Sequence, residues 1–158
     1  MVLPDVVKIL HLPFDHTGAV GRYANGQFLA DGGICPVRGG ERFRWYFVVH
    51  LFADDGGHID SHVWSGRADD RVFDGQDRPA QRLARQRFQT LLDGLPEREY
   101  GDIAIRPFRL DVQGIVFGLI DESARNEGET FVLYPGGLTF QAPWYGTYDC
   151  HHERQPEP

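Results

Sequence analysis

The sequence predicts an α+β domain: a largely antiparallel sheet built from hairpins, with one main helix packed on one face. Three observations predict it. Eleven Phe, six Tyr and three Trp sit among 19 Gly and 10 Pro, a composition that favours strands joined by tight turns. Short apolar runs follow one another across two- and three-residue turn signals, so neighbouring strands should pair as hairpins. Only the segment from 79 to 93 repeats its apolar residues at helical spacing.

The elements follow in chain order. VVKILHL (6–12) alternates loosely and reads as an opening strand. GRYANGQFLA (21–30) places Asn25-Gly26 between two apolar runs, a two-residue hairpin signal. DGGICPVRGGE (31–41) reads as a Gly/Pro-rich loop. RFRWYFVVHLF (42–52) is a long aromatic strand that turns at 53–57 into a second strand, HIDSHVW (58–64). The polar stretch 65–78 reads as a loop. Asp77 can cap the helix and Pro79 suits its first turn, while Ala80, Leu83, Ala84, Phe88, Leu91, Leu92 and Leu95 form its apolar stripe. Gly94 and Pro96 end it. DIAIRPFRLDV (102–112) and IVFGLIDE (115–122) form a hairpin over Gln113-Gly114; TFVLY (130–134) and LTFQA (138–142) form another over Pro135-Gly136-Gly137. The expectation is roughly nine strands in a single domain over residues 1–150, with 151–158 as a flexible tail.

Length and charge narrow the function classes. A chain of 158 residues can bury one substantial core. Its formal net charge of −7 argues against nucleic acid, because a phosphate-tracking surface needs a basic stripe that overcomes that field. Lys8 is the only lysine beside 15 arginines, a bias that fits a GC-rich genome. Cys35 and Cys150 are far apart and form no metal-type spacing. The N-terminus shows no signal peptide and no run reaches a membrane span, so a cytoplasmic location is expected.

The stretch HLFADDGGHIDSHVW (50–64) holds the densest group of chemically competent side chains. Along 42–52 the odd positions Phe43, Trp45, Phe47, Val49 and Leu51 are apolar, and the even ones are mixed. If only one side of the sheet is buried, odd must face odd across the hairpin. That selects a three-residue turn, Asp54-Asp55-Gly56 or Asp55-Gly56-Gly57, and gathers His50, His58, Asp60 and His62 on one face. His58 and His62 are about 13 Å apart along a strand. They cannot share an ion, so a divalent metal would need His50 with Asp60 or His62 and ligands from elsewhere. The plainer expectation is a wet or partly covered sheet face, where His and Asp form hydrogen bonds and Arg44 balances charge, with no cofactor.

Other candidates are weaker. Three serines stand outside any G-x-S-x-G elbow, and Cys35 in GICP reads as a half-buried free thiol. Arg78, Arg82 and Arg85 form a basic stripe along the helix, with Arg87 nearby, suited to an acidic partner or to pairing with neighbouring acids. Near the C-terminus Trp144, Tyr145 and Tyr148 offer large contact area at low entropic cost, suiting either a partner-binding surface or the end of the core.

The phrases GRYANGQF, REYGDIAIRPF, VFGLI and LYPGGLTFQAPWYGTYD resemble those of a family of small, soluble proteins from GC-rich bacteria, some of them labelled formate hydrogenlyase regulatory protein. The resemblance runs in patches from residue 21 to 149 and carries no catalytic motif.

The functional expectation is therefore a non-catalytic, cytosolic interaction module that binds a protein partner in a regulatory or immunity-type role, with a homo-oligomer compatible with the sequence. The alternative is an enzyme, or a small-ligand or metal-binding protein, using the His50/His58/Asp60/His62 face.

Overall fold

The computed structural model describes residues 4–11, 19–37, 42–68, 79–124, 128–141 and, as backbone only, 125 and 145–147. Among these residues the chain forms twelve strands and one α-helix. The central five-stranded sheet has the order β5-β4-β3-β2-β6, from β2 (Ala19–Tyr23), β3 (Gly26–Pro36), β4 (Phe43–Phe52), β5 (His58–Ala68) and β6 (Glu99–Tyr100). A second five-stranded sheet has the order β12-β11-β10-β9-β8, from β8 (Phe108–Val112), β9 (Ile115–Asp121), β10 (Thr130–Tyr134), β11 (Leu138–Gln141) and β12 (Tyr145–Thr147). β1 (Val7–Ile9) pairs with β7 (Ile103–Ile105) as a two-stranded ribbon. Every pairing is antiparallel. The architecture is α+β, with helix α1 (Pro79–Asp93) on one face of the central sheet, as the composition and turn spacing predict.

The central sheet is covered on both sides. On one face Phe28, Ala30 and Val49 pack against Leu92 and Leu95, with Phe88 and Leu91 alongside. On the other, Tyr46 and Val48 meet Ile115 and Phe117 of the second sheet. Leu29 and Phe52 join Leu119, Phe131, Leu133, Leu138 and Phe140, together with the ribbon residues Val7, Ile9, Ile103 and Ile105. Both parities of β4 are thus apolar because both are buried, with Tyr46, Val48, Val49 and Phe52 each at most 1% exposed.

Several boundaries differ from the sequence expectation. β3 runs through the glycine-rich stretch to Pro36 instead of ending at Ala30. Gly32 serves there as a platform, since a Cβ on it would sit 2.8 Å from the Phe47 ring. The first hairpin turns over Ala24-Asn25, because Tyr23 pairs with Gly26. Gly26 is itself in the ladder, where a side chain would strike the Phe52 carbonyl. The run 102–112 divides at Arg106-Pro107, sending β7 to the ribbon and β8 to the second sheet. The turn over Gln113-Gly114 is as expected, both residues taking positive φ of 51° and 82°.

A buried amide ties these parts together. Gln27 donates from Nε2 to the carbonyls of Ala53 (3.0 Å) and Ala104 (2.9 Å), and its Oε1 accepts from the Ala104 amide at 2.8 Å. The Gly56 carbonyl accepts from the Arg106 amide at 2.8 Å, so the β4–β5 turn is anchored to β7. No helix among the described residues is long and apolar enough to cross a membrane. Asp77, Arg78, Trp144, Tyr148 and the tail lie outside the described residues.

Candidate functional site

The β4–β5 hairpin begins as the sequence predicts. Ala53 donates to the Gly57 carbonyl at 2.8 Å across the three-residue turn Asp54-Asp55-Gly56, and Gly56 takes the glycine-favouring φ of 91°. Phe52 then pairs with His58, even with even. Beyond that pair the register shifts: Leu51 faces Asp60, His50 faces Ser61, Val49 faces His62 and Phe47 faces Trp64. Ile59 is the extra residue of a β-bulge, and it inverts the parity of all that follows.

The bulge divides the four polar residues expected on one face. His50 and His58 point toward the second sheet, while Asp60 and His62 lie on the helix side, where His62 Nε2 approaches Asp60 Oδ2 to 3.4 Å. The single-face expectation is corrected on this point. Its premise was that one side of the sheet is wet; with both faces of β4 apolar and covered, patterning places little penalty on a one-residue shift. Among the described residues no group of three or more His, Cys, Asp or Glu side chains is arranged to hold a metal ion.

The residue that sequence reasoning missed is Ser61. Its Oγ lies 2.6 Å from His50 Nδ1 and 2.7 Å from His58 Nε2, so one hydroxyl bridges two imidazoles, donating to one ring and accepting from the other. His50 is 1% exposed, with edge-to-face contacts to Phe108 and Phe117 at 4.9 Å and 6.0 Å. Burial, and then the neighbouring His58, hold its pKa down at about 3, so it is neutral at ordinary pH. His58 is exposed and stacks on Phe108 at 4.7 Å. The relay latches the edge strand to β4 and to the second sheet. Serine and histidine three apart on a regular strand would face opposite ways; only the bulge brings them together.

The same sheet face holds a second ionisable group, this one half-buried. Asp31 on β3 accepts from the Gly32 amide at 2.8 Å and from the Tyr46 hydroxyl at 3.3 Å. Burial pushes its pKa up to about 7, against the lowering effect of those two donors.

A groove of about 340 Å³ opens at the β5 edge, where helix, central sheet and second sheet meet. Trp45, Val63, Trp64 and Leu83 give it apolar walls, Val112 and Gln113 come from the β8–β9 turn, and Arg87 stands at its rim. Gly66 shapes it, because the Trp45 indole lies across that glycine where any side chain would clash. Trp64 is held edge-on against Phe88 at 6.5 Å. Two large apolar side chains are left in solvent, Leu83 in the groove wall at 48% exposed and Ile59 at the β5 bulge at 58%.

The partner-binding residues expected from sequence fall in different places. Arg82 and Arg85 are exposed on the helix that borders the groove, with the Arg85 guanidinium 5.5 Å from the Phe47 ring. Tyr145 belongs to β12, at the opposite edge of the second sheet from β8, so it does not join the groove. No protein-family model matches this chain, and no curated protein or solved structure matches it.

Proposed function

We propose that the chain is a non-catalytic protein-interaction module, acting on its partner in a regulatory or neutralising way, and that it binds through the groove and the β5 edge beside it. The observation that carries this reading is the coincidence of three features along one side of the fold. Among the described residues an 11-residue strand forms the end of its sheet, an apolar groove runs beside it, and Leu83 of the groove wall and Ile59 of the strand stand exposed. Edge strands are templates for pairing, and apolar clefts rimmed by polar groups are where partners anchor. The His50–Ser61–His58 relay supports the reading from below, because it fixes the edge in place and a preorganised surface loses less entropy on binding.

Affinity capture from native-host lysate at low salt tests it, comparing the wild type with Leu83→Glu. Leu83 is half in solvent, so the variant keeps the fold. The wild type should retain a stoichiometric partner that the variant loses. Recovery of the protein alone, or of a partner that both forms hold equally, overturns the reading.

A further inference from the structure

We propose that the partner docks as an extended segment adding a sixth strand to the outer edge of β5, with an apolar side chain in the groove and a carboxylate against Arg87. The inference rests on the β5 edge being the interaction surface, and it adds the conformation and chemistry of what binds there.

Among the described residues no strand lies beyond β5, so one row of its peptide groups has no ladder partner. Eleven residues span roughly 36 Å, long enough to pair with a strand of ordinary length. The edge of the second sheet lies on the same side, since Phe108 of β8 stacks on His58, and Gln113 Oε1 accepts from Arg44 Nη2 at 2.8 Å. An added strand would therefore rest between α1 and the β8–β9 turn. Strand addition takes its affinity from main-chain hydrogen bonds and its specificity from pockets for alternate side chains. Here the groove lined by Trp45, Trp64 and Leu83 is that pocket.

Charge selects the rest. Arg87 is exposed at the groove rim and has no acidic or hydrogen-bonding partner among the described residues. Arg67, on the strand itself, is likewise exposed and unpartnered among them, and it faces another arginine, Arg44, across the ladder. The formal charge of −7 opposes a polyacidic ligand. Screening over about 8 Å at physiological salt nevertheless lets one or two well-placed carboxylates respond to these guanidiniums.

A second copy of the chain, paired through β5, leaves Arg67 without Asp60 as a counter-ion. Two β5 strands related by an axis normal to the sheet keep their faces, so helix-side residues meet helix-side residues. Asp60 is on the helix side and Arg67 on the other. Self-pairing therefore never brings that carboxylate opposite that guanidinium.

The test uses a blocked seven-residue peptide in which threonine, valine and glutamate alternate around a central phenylalanine, and a counterpart with lysine in place of glutamate. Each is titrated into the full-length protein by isothermal calorimetry, with amide hydrogen exchange followed along 59–67. The glutamate peptide should bind and slow exchange on β5, and Arg87→Glu should weaken it about tenfold and favour the lysine peptide. Equal binding of the two peptides, binding that leaves β5 exchange unchanged, or no binding at all overturns the inference. So does sedimentation as a dimer with β5 already protected. Partner capture that depends on Leu83 would survive any of these results, so the two readings fail separately.

Discussion

The two faces of the central sheet share one backbone, yet they treat polar groups in opposite ways. On the helix side Asp60 and His62 sit at the margin with their side chains 59% and 39% exposed, and water shares in their pairing. On the side facing the second sheet, His50 is buried and Asp31 half-buried, and each leans on a neutral hydroxyl, Ser61 for one and Tyr46 for the other. A 15-residue helix covers only part of a five-stranded sheet and leaves its edge open. A second sheet covers the other face more fully, and any polar group caught there must find a partner inside the protein. The open margin is where binding is inferred; the closed side holds that margin in place.

The largest difference should appear in packing. Phe117 is fully buried between Tyr46 and His50, at 5.5 Å and 6.0 Å from their rings. Phe88 is half-buried between α1 and the sheet. Phe117→Ala should cost about 3–5 kcal/mol in urea denaturation, near the limit for a buried aromatic. Phe88→Ala should cost about half of that, since solvent already reaches the ring. Equal losses would mean that the helix side is as closed as the sheet side.

How far the sequence reveals these faces depends on which physical signal governs each part. The helix, the Gln113-Gly114 turn and the glycine at the left-handed position of the β4–β5 turn are local effects, and they stand where local rules put them. The continuation of β3 through Gly32-Gly33 was hidden, because Gly32 makes room for a ring on the neighbouring strand, Phe47, instead of breaking the chain. The bulge at Ile59 was hidden for a related reason. Alternation fixes a register when one face is wet, and β4 has no wet face. His50 and His58 were identified as candidates, but their link through Ser61 depends on the one-residue shift, and no pattern within β5 announces it.

Ser61 and His62 are adjacent in sequence and fall on the two faces, so they give a closer comparison. Ser61→Ala removes the hydroxyl between two imidazoles and leaves the buried His50 Nδ1 without its partner. The expected loss is about 1–3 kcal/mol, the cost of a buried polar atom left unsatisfied. His62→Ala breaks only a surface pair with Asp60 and should change stability by about 0.5 kcal/mol or less. Chemical denaturation at pH 7 separates the two, and a Ser61→Ala variant as stable as the wild type would reduce the relay to a surface contact.

The finest comparison lies within the sheet-covered side, between the buried His50 and the half-buried Asp31. Asp31 has a folded-state pKa raised to about 7, so its contribution to stability is present below about 4 and lost as pH rises through about 7. His50 has a folded-state pKa lowered to about 3, so its contribution is present above about 6.5 and lost as pH falls toward about 3. Between about pH 4 and 6.5 the two trends oppose each other, and the wild type should show a shallow net slope from this pair. Asp31→Asn removes one of them. The variant should then lose stability as pH falls through that window with a slope approaching, and not exceeding, about 1.4 kcal/mol per pH unit relative to wild type. Residual solvent contact at Asp31 holds the slope below that limit. Parallel pH profiles for the two proteins would show that the Asp31 carboxylate is as well solvated as the Asp60 carboxylate across the sheet.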